Sequence, residues 1–466
     1  MFGKMFPGGV HPREGANGKA VTGVKAATRM QAPDRVYIPL SQHTGAPAKA
    51  LVKKGDRVLM GQKIGEAGGF VSAPVHSSVS GKVVDIAPVF MPAGNTVMAV
   101  VIDNDHLDEP AELHPVADPA AMDVKQLTDI IGEAGIVGMG GAAFPTKVKM
   151  LPPAGKTIEI LIVNGCECEP YLSADHRLML ERAEDIIDGL SLCMSALKVG
   201  KAIIGVELNK PDAISALQSA ASGKSGIEIV GLPVRYPEGG EKQLIYALTR
   251  RKVPCGGLPI DTGCVVLNVG TTCAIRDAVR EGKPLYERYI SVGGMVKEPG
   301  VRIVRVGTTM SDLIDACGGL TDDARKIISG GPMMGMAVSR IDIPVTKGTS
   351  GLTVLGDESL EPEETACIRC GRCVAACPMQ LMPSKFDALM RLDRYEAAQA
   401  AGVMNCIECG ACTYSCPAKR KLTQSIRTCK TVLRNRAAAA KAKAAAEAAA
   451  AAAKAEAEKP AEKKEA

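Results

Sequence analysis

The sequence predicts a multidomain α/β chain that opens on β structure and carries a cluster-binding module towards its end. Three observations predict it. Short runs rich in Val, Ile and Gly fill residues 35–102, helices alternate with strands from residue 120 to 282, and eight of the sixteen cysteines sit in two tight runs between residues 367 and 416. With 466 residues, 46% of them hydrophobic, the chain can bury several cores.

Composition excludes several classes. The formal charge of +5 is spread over both signs, aromatics make up 3% and Trp is absent, so the basic, stacking surface that nucleic acid needs is missing. No uncharged apolar run approaches the ~18 residues of a membrane span, and "MFGKMFPGGVHPREG" is too polar for a signal segment. The expectation is a soluble, cytoplasmic chain able to dock on a membrane protein. Cysteines clustered this tightly, in a large chain without an export signal, read as metal ligands rather than disulfides.

Residues 1–115 form the β-rich start. "KGDRVLMGQKIG" followed by "SAPVHSSVSGKVVDI" resembles the biotinyl and lipoyl barrel-sandwich family. Lys82, the candidate for modification, lacks the flanking residues of a carrier lysine, so a structural β-domain without a prosthetic group is expected. Residues 116–283 alternate helix and strand: amphipathic "DVKQLTDIIGEAG", buried "IEILIVN", one long helix "SADHRLMLERAEDIIDGLSLCMSALK" capped by Ser173, and so on to "CVVLNV" and "TTCAIRDAVR". That alternation predicts a parallel sheet.

In residues 284–350, "VGGMVKEPG" and "VGTTMSDLIDACGG" resemble the soluble-ligand-binding β-grasp (SLBB) family. Residues 360–436 hold the cysteine runs, and residues 437–466 are a low-complexity Ala, Lys and Glu tail whose composition allows partial helix but which has no apolar stripe to bury, so a mobile tail is the default expectation. Residues 417–436 carry seven Lys or Arg and no acid. This segment reads equally as a solvated basic helix or as a contact for an acidic partner or membrane surface.

"CIRCGRCVAACP" and "CIECGACTYSCP" write one motif twice, C-x2-C-x2-C-x3-C-P. This is the bacterial spacing for four-iron four-sulfur clusters, in which the fourth Cys of each run ligates the other cluster. Cys367, Cys370, Cys373 and Cys416 are therefore assigned to one cluster, and Cys406, Cys409, Cys412 and Cys377 to the second. Zinc needs four ligands per ion and does not explain two runs with a trailing Cys-Pro. Cys166, Cys168, Cys193, Cys255, Cys264, Cys273, Cys317 and Cys429 lack ligand spacing, and most of them read as buried small hydrophobes.

"GIVGMGGAAFPTKVKM", residues 135–150, has the glycines and lysines of a phosphate loop. It follows a helix and precedes a strand, so it is not a Rossmann turn, and it lacks the ending of a P-loop. "GMGGAAFPTKVKM", "IVNGCECEPYLSADHR", "YPEGGEKQL" and "VLNVGTTCAIRDA" resemble, in the same order, four segments of the flavin- and NADH-binding subunit family of respiratory complex I and NAD-linked hydrogenases. The resemblance implies that Gly138, Gly140, Gly141 and Lys149 hold the phosphate side of FMN. It implies that Asn164, Glu167, Gly240, Glu241, Asn268 and Thr271 line the pocket and that Glu169 faces the nicotinamide, making Glu169 and Glu241 the candidate catalytic residues. Met139 and Cys166 stand where that family has Arg and Asp.

Taken together, the modules resemble the C-subunit family of Rnf-type ion-translocating ferredoxin:NAD oxidoreductases. That resemblance implies a peripheral subunit at the cytoplasmic face of the cell membrane, exchanging electrons between NAD(H), FMN and two 4Fe-4S clusters. Its implied partners are integral-membrane and ferredoxin-like subunits, with ferredoxin reached through one of them and Na+ or H+ transport left to them. A flavin-free iron-sulfur adaptor and a soluble NADH-dependent reductase subunit are the competing readings.

Overall fold

The computed structural model describes residues 5–357 and 363–457, and the chain divides into two compact units, residues 1–362 and 363–466. Residues 1–4, 360–362 and 458–466 of the expected domains lie outside the described residues.

The first unit begins with strands β1 (Arg35–Pro39), β2 (Gly81–Phe90) and β3 (Thr96–Asn104), antiparallel in the order β1-β3-β2 with Arg57–Val58 on the outer edge. A second small sheet joins Lys49–Ala50, Lys63–Glu66 and Val75–His76. Alternating residues turn inward to one core that includes Val36, Ile38, Ile64, Val83 and Ile102. Lys82 lies within β2 opposite Asp103 and Arg57, not at a hairpin tip.

Helix α1 (Val124–Glu133) starts at a capping box between Asp123 and Gln126. After the glycine loop come α2 (Thr146–Met150) and β4 (Ile160–Gly165), α3 (Ala174–Glu181), α4 (Ala183–Leu197), β5 (Ala202–Glu207), α5 (Pro211–Ala220) and β6 (Ile227–Leu232). Then α6 (Glu241–Thr249), β7 (Cys264–Asn268) and α7 (Val269–Glu281) complete the layer. The four strands are parallel in the order β6-β5-β4-β7. Ile160–Val163 in β4 are all buried, as a strand covered by helices on both faces requires.

The single long helix expected after Ser173 is two helices. Arg182 leaves helical geometry (φ −133°, ψ 33°), and its guanidinium turns to Asp277 at 2.6 Å and Asp185 at 2.7 Å. Ser173 makes no side-chain cap; the carboxylate of Glu167 instead accepts from the N–H groups of Asp175 (3.1 Å) and His176 (3.2 Å).

Strand β8 (Glu287–Gly294) pairs antiparallel with β9 (Gly300–Arg305) and parallel with β11 (Gly351–Leu355), which pairs with β10 (Lys326–Ser329). Helix α8 (Met310–Asp315) closes this β-grasp core over Ile290, Val304 and Val354. Lys347 is 1% exposed and ties three modules: its ammonium donates to the carbonyls of Pro74 (2.8 Å) and Gly135 (2.7 Å). Burial without a carboxylate pushes it down to about 7.

The second unit is helical: α9 (Arg372–Ala376), α10 (Pro383–Arg391), α11 (Tyr395–Ala400), α12 (Ala411–Tyr414) and α13 (Leu422–Ala457), around Phe386, Ala398, Val403, Ile426 and Leu433. The tail expected to be mobile is, over residues 437–457, a continuation of α13, in keeping with the high helix propensity of Ala, Lys and Glu. Several cations in residues 417–436 are paired within the unit, among them Arg420 with Asp387, Arg427 and Lys430 with Glu408, and Arg436 with Glu396.

Candidate functional site

The chain runs outward from β4 to β5 and β6, then returns to place β7 on the other side of β4, so the topology switches between β4 and β7. Open α/β sheets bind ligands beyond the carboxyl ends of their strands at such a point. Asn164 and Asn268 occupy those two ends and are neighbours in register. Asn164 donates to the carbonyl of Gly239 at 2.8 Å and accepts from the Cys166 N–H at 3.0 Å. Asn268 caps α7 through the Gly270 N–H at 2.8 Å and donates to Asp175 at 2.7 Å.

The glycine loop projects over this end. Its base is pinched by the Gly138 N–H donating to Phe144 O at 2.9 Å, and Met139 N–H donates to the Thr271 hydroxyl at 3.1 Å. From the barrel-sandwich side, the Thr44 hydroxyl donates to Ala142 O at 2.7 Å. Two residues of the loop are left-handed, Gly135 at its start (φ 63°) and Ala143 (φ 50°), whereas Gly138, Gly140 and Gly141 have no positive φ. Space, not backbone conformation, is what these glycines supply. A Cβ on Gly140 would sit 3.1 Å from the Asn268 amide, and one on Gly141 would meet nothing within 4 Å.

The exposed N–H groups of Gly140, Gly141 and Ala142 donate to no acceptor among the described residues. Three open amides on a tip free of side chains, beside the amino end of α7, form a cradle for an anionic group, and the phosphate of FMN fits it.

Lys149 lies below, donating to Glu241 at 2.9 Å and to Val266 O at 3.0 Å, and Glu241 opens α6 immediately after Gly240. Glu167 is occupied in capping α3. Glu169 accepts from the backbone of Met333 (3.1 Å) and Met334 (2.8 Å) and from the Tyr236 hydroxyl (3.3 Å), so it clasps the β-grasp turn, and burial raises it. The structure thus gathers Gly140, Lys149, Asn164, Gly240, Glu241, Asn268 and Thr271 around one end of the sheet, and turns Glu167 and Glu169 to other partners.

Sequence reasoning missed Asp175. Burial first, then the charge of Glu167, pushes it up to about 7, against the pull of its Asn268 hydrogen bond and of Arg288. Arg288, buried on β8, donates to the carbonyls of Lys347 and Met139 and so holds the loop from behind. Asp175 lay inside the quoted "SADHR"; Arg288 carried no local signal.

In the second unit, Cys377, Cys406, Cys409 and Cys412 line one pocket, together with Pro378, Phe386 and Ile426. This is the ligand set assigned to the second cluster, its fourth member coming from the other run. Backbone N–H groups of Leu381 and Glu408 donate to the sulfurs of Cys377 and Cys406, each at 3.3 Å. Among the described residues no three His, Cys, Asp or Glu converge as a single ion requires. Four thiols lining one pocket are the ligand set that a 4Fe-4S cluster takes.

Of the first set, Cys373 and Cys416 pack beside Cys412, while Cys367 and Cys370 are exposed. Among the remaining eight cysteines six are buried, as expected for most of them, while Cys168 is half-buried and Cys255 is exposed.

Comparisons with known proteins agree with this layout. The RnfC barrel sandwich hybrid domain matches residues 4–107, the Nuo51 FMN-binding domain residues 131–277, the SLBB domain residues 289–337 and the 4Fe-4S dicluster domain residues 366–420. The C subunit of the proton-translocating ferredoxin:NAD(+) oxidoreductase complex of Clostridium ljungdahlii is 50% identical over 93% of this chain and 95% of its own length. The chain belongs to the C-subunit family of ion-translocating ferredoxin:NAD(+) oxidoreductase complexes.

Within the family, the C subunit of the Na(+)-translocating complex of Acetobacterium woodii is 46% identical over 91% of this chain and 96% of its own length. The C subunit of the ion-translocating oxidoreductase complex of Rhodobacter capsulatus is 40% identical over 92% and 83% respectively. An NAD+-reducing [NiFe]-hydrogenase in the H2-reduced state is a similar solved structure, with a TM-score of 0.48 and 19% identity over 66% of this chain and 64% of that one. The chain therefore carries an FMN-binding domain and a 4Fe-4S dicluster domain, and among the described residues no helix is long and apolar enough to cross a membrane.

Proposed function

We propose that this chain is the peripheral subunit through which a membrane-bound ferredoxin:NAD oxidoreductase exchanges electrons between NAD(H), FMN and two 4Fe-4S clusters. One observation carries the reading: a single chain combines an open run of amides at the switch point of a parallel sheet with a cysteine module written twice. Relatives named as subunits of proton- and sodium-translocating complexes, similar over 93% and 91% of the chain, support it.

FMN, when bound, supplies the conversion between two-electron exchange with NAD(H) and one-electron exchange with the clusters. The protein supplies binding and electrostatics. The amides of Gly140, Gly141 and Ala142 and the amino end of α7 hold the phosphate, with Gly138 and Thr271 fixing the loop they stand on. Asn164, Gly240 and Asn268 border the rest of the pocket. Lys149 contributes a positive charge that Glu241 orients, and Glu169 and Glu167 shape its walls by fixing the β-grasp turn and α3.

We further assign the chain to the cytoplasmic face of the cell membrane, beside integral-membrane and ferredoxin-like subunits that pass it electrons from ferredoxin. Anaerobic purification with cofactor extraction tests the proposal. About eight irons and one FMN per chain are expected, with NADH-driven reduction of artificial acceptors. Eight irons with no FMN and no NADH reactivity would favour the adaptor reading, and full reactivity in a chain that never co-purifies with membranes would favour the soluble reductase.

A further inference from the structure

The two cysteine loops share a backbone. Arg369 (φ 57°), Gly371 (φ 74°) and Gln380 (φ 54°) of the first are matched by Glu408 (φ 58°), Gly410 (φ 80°) and Lys419 (φ 54°) of the second. Their surroundings are opposite. Helix α13 covers the second loop: Lys430 donates to Cys406 O at 2.7 Å, and Glu408 is held by Lys430 at 2.5 Å and Arg427 at 3.3 Å. Cys409 and Gly410 are buried.

Among the described residues of its unit nothing covers the first loop. Every residue from Cys367 to Arg372 is exposed, with Ile368 66% and Val374 38% exposed. Arg369 and Arg372 replace the Glu408 and Ala411 of the twin, and neither has a carboxylate partner among the described residues. Lys419, three positions beyond the ligand Cys416, is likewise exposed and unpaired. Glu364 is engaged by Arg391 and Arg420, which leaves Glu363 as the nearest exposed acid in sequence among the described residues.

We propose that the Cys367–Arg372 loop is the electron port of this unit, a docking face for an electron-transfer protein with an acidic surface. The inference rests on the iron-sulfur reading above. An exposed ligand loop brings one cluster edge to the surface, and electron transfer falls steeply with distance, so exchange with a partner runs through the cluster of Cys367, Cys370, Cys373 and Cys416. Ile368 and Val374 offer an apolar centre, and the unpaired cations a rim that steers an acidic partner and sets its orientation. The buried twin is the internal cluster.

The test uses the full, anaerobically purified chain and, as probe, an acidic two-cluster bacterial ferredoxin. Binding is followed by calorimetry from about 20 to 300 mM salt, a range over which screening shortens from about 20 to 6 Å. Wild-type affinity is expected to fall at least about tenfold across that range. The double variant Arg369→Glu/Arg372→Glu is expected to bind about tenfold more weakly at low salt, with little salt dependence and its full iron content. The control Lys53→Glu/Lys54→Glu, on the exposed barrel-sandwich surface, should bind as wild type.

A fully loaded Arg369→Glu/Arg372→Glu chain with wild-type affinity overturns the proposal. So does loss of NADH-driven reduction of the chain's own clusters with ferredoxin binding intact, which would make the loop an internal contact. Failure of the iron-sulfur reading is distinct: the wild-type chain itself would then hold no iron.

Discussion

The flavin cradle and the cysteine module solve opposite problems. In the cradle nearly every polar group already has a protein partner: Asn164 with Gly239, Asn268 with Asp175, Lys149 with Glu241. Only the loop tip is open, so this unit is built to fold first and bind afterwards. In the cysteine-lined pocket, by contrast, the partner that the four thiols are built for is the cluster itself. Without it, the small second unit keeps only its helical core around Phe386.

The largest expected effect breaks the comparison on the cysteine side. Cys406→Ser removes one ligand of the buried ring, and iron content should fall by half or more, from about eight to four or fewer per chain. FMN content should stay at one. Limited proteolysis should then cut between residues 363 and 457 and spare the first unit; a resistant second unit would show that its apolar core suffices without the cluster.

On the cradle side two glycines separate folding from binding. Gly140→Val places branched carbons against the Asn268 amide, 3.1 Å from the first added atom, and across the open amides. FMN affinity should drop about a hundredfold or more, with iron unchanged and a stability cost of about 1 kcal/mol. Gly141→Ala meets no protein atom within 4 Å and needs no left-handed backbone. It should therefore leave the melting temperature within about 2 °C of wild type, while a methyl on the approach path weakens FMN about tenfold. Titration of the deflavinated protein checks both, and unchanged affinity in Gly141→Ala would show that the phosphate lies elsewhere.

The two sites also differed in how legible they were. Four cysteines at fixed spacing identify a cluster because thiolates wrapping one cube must come from a tight local turn, and Gly371 and Gly410 stand at those turns with positive φ. The cradle is assembled from segments far apart in sequence, so its glycine loop alone was only a candidate phosphate loop and the resemblance had to supply the rest. Even then Gly138, Gly140 and Gly141 proved to supply room rather than left-handed backbone. What stayed hidden depends on packing between modules: Arg288 gripping the loop from β8, Lys347 joining three modules, and Arg182 breaking a helix that periodicity made continuous. The helix over residues 437–457 was legible only as a partly helical alternative to a mobile tail, because it has no apolar face and high propensity carries it instead.

The last effect, confined to the alkaline side of the pH range, probes a place where the first unit leaves a buried charge unsettled. Glu238, next to Gly239 and Gly240, is fully buried, and neither of its carboxylate oxygens has a hydrogen-bond partner. Burial first, then the negative charge of Glu207, pushes it up to about 8, with Arg235 and Arg250 pulling the other way. Below the ordinary carboxylate range the group is neutral whether the chain is folded or not. As pH rises from about 4.5 towards 8 the unfolded chain gives up this proton and the folded chain keeps it, so folding binds a proton and stability falls with pH. Glu238→Gln removes the titration and keeps the shape. Its melting temperature should match wild type at about pH 4 and exceed it by several degrees at pH 8, a gain of about 2 to 4 kcal/mol in the first unit. Iron content should not change. An equal melting temperature at both pH values would mean that Glu238 ionises in the folded chain, with its charge settled by Arg235 or Arg250, and that the cradle's floor is as fully paired as its walls.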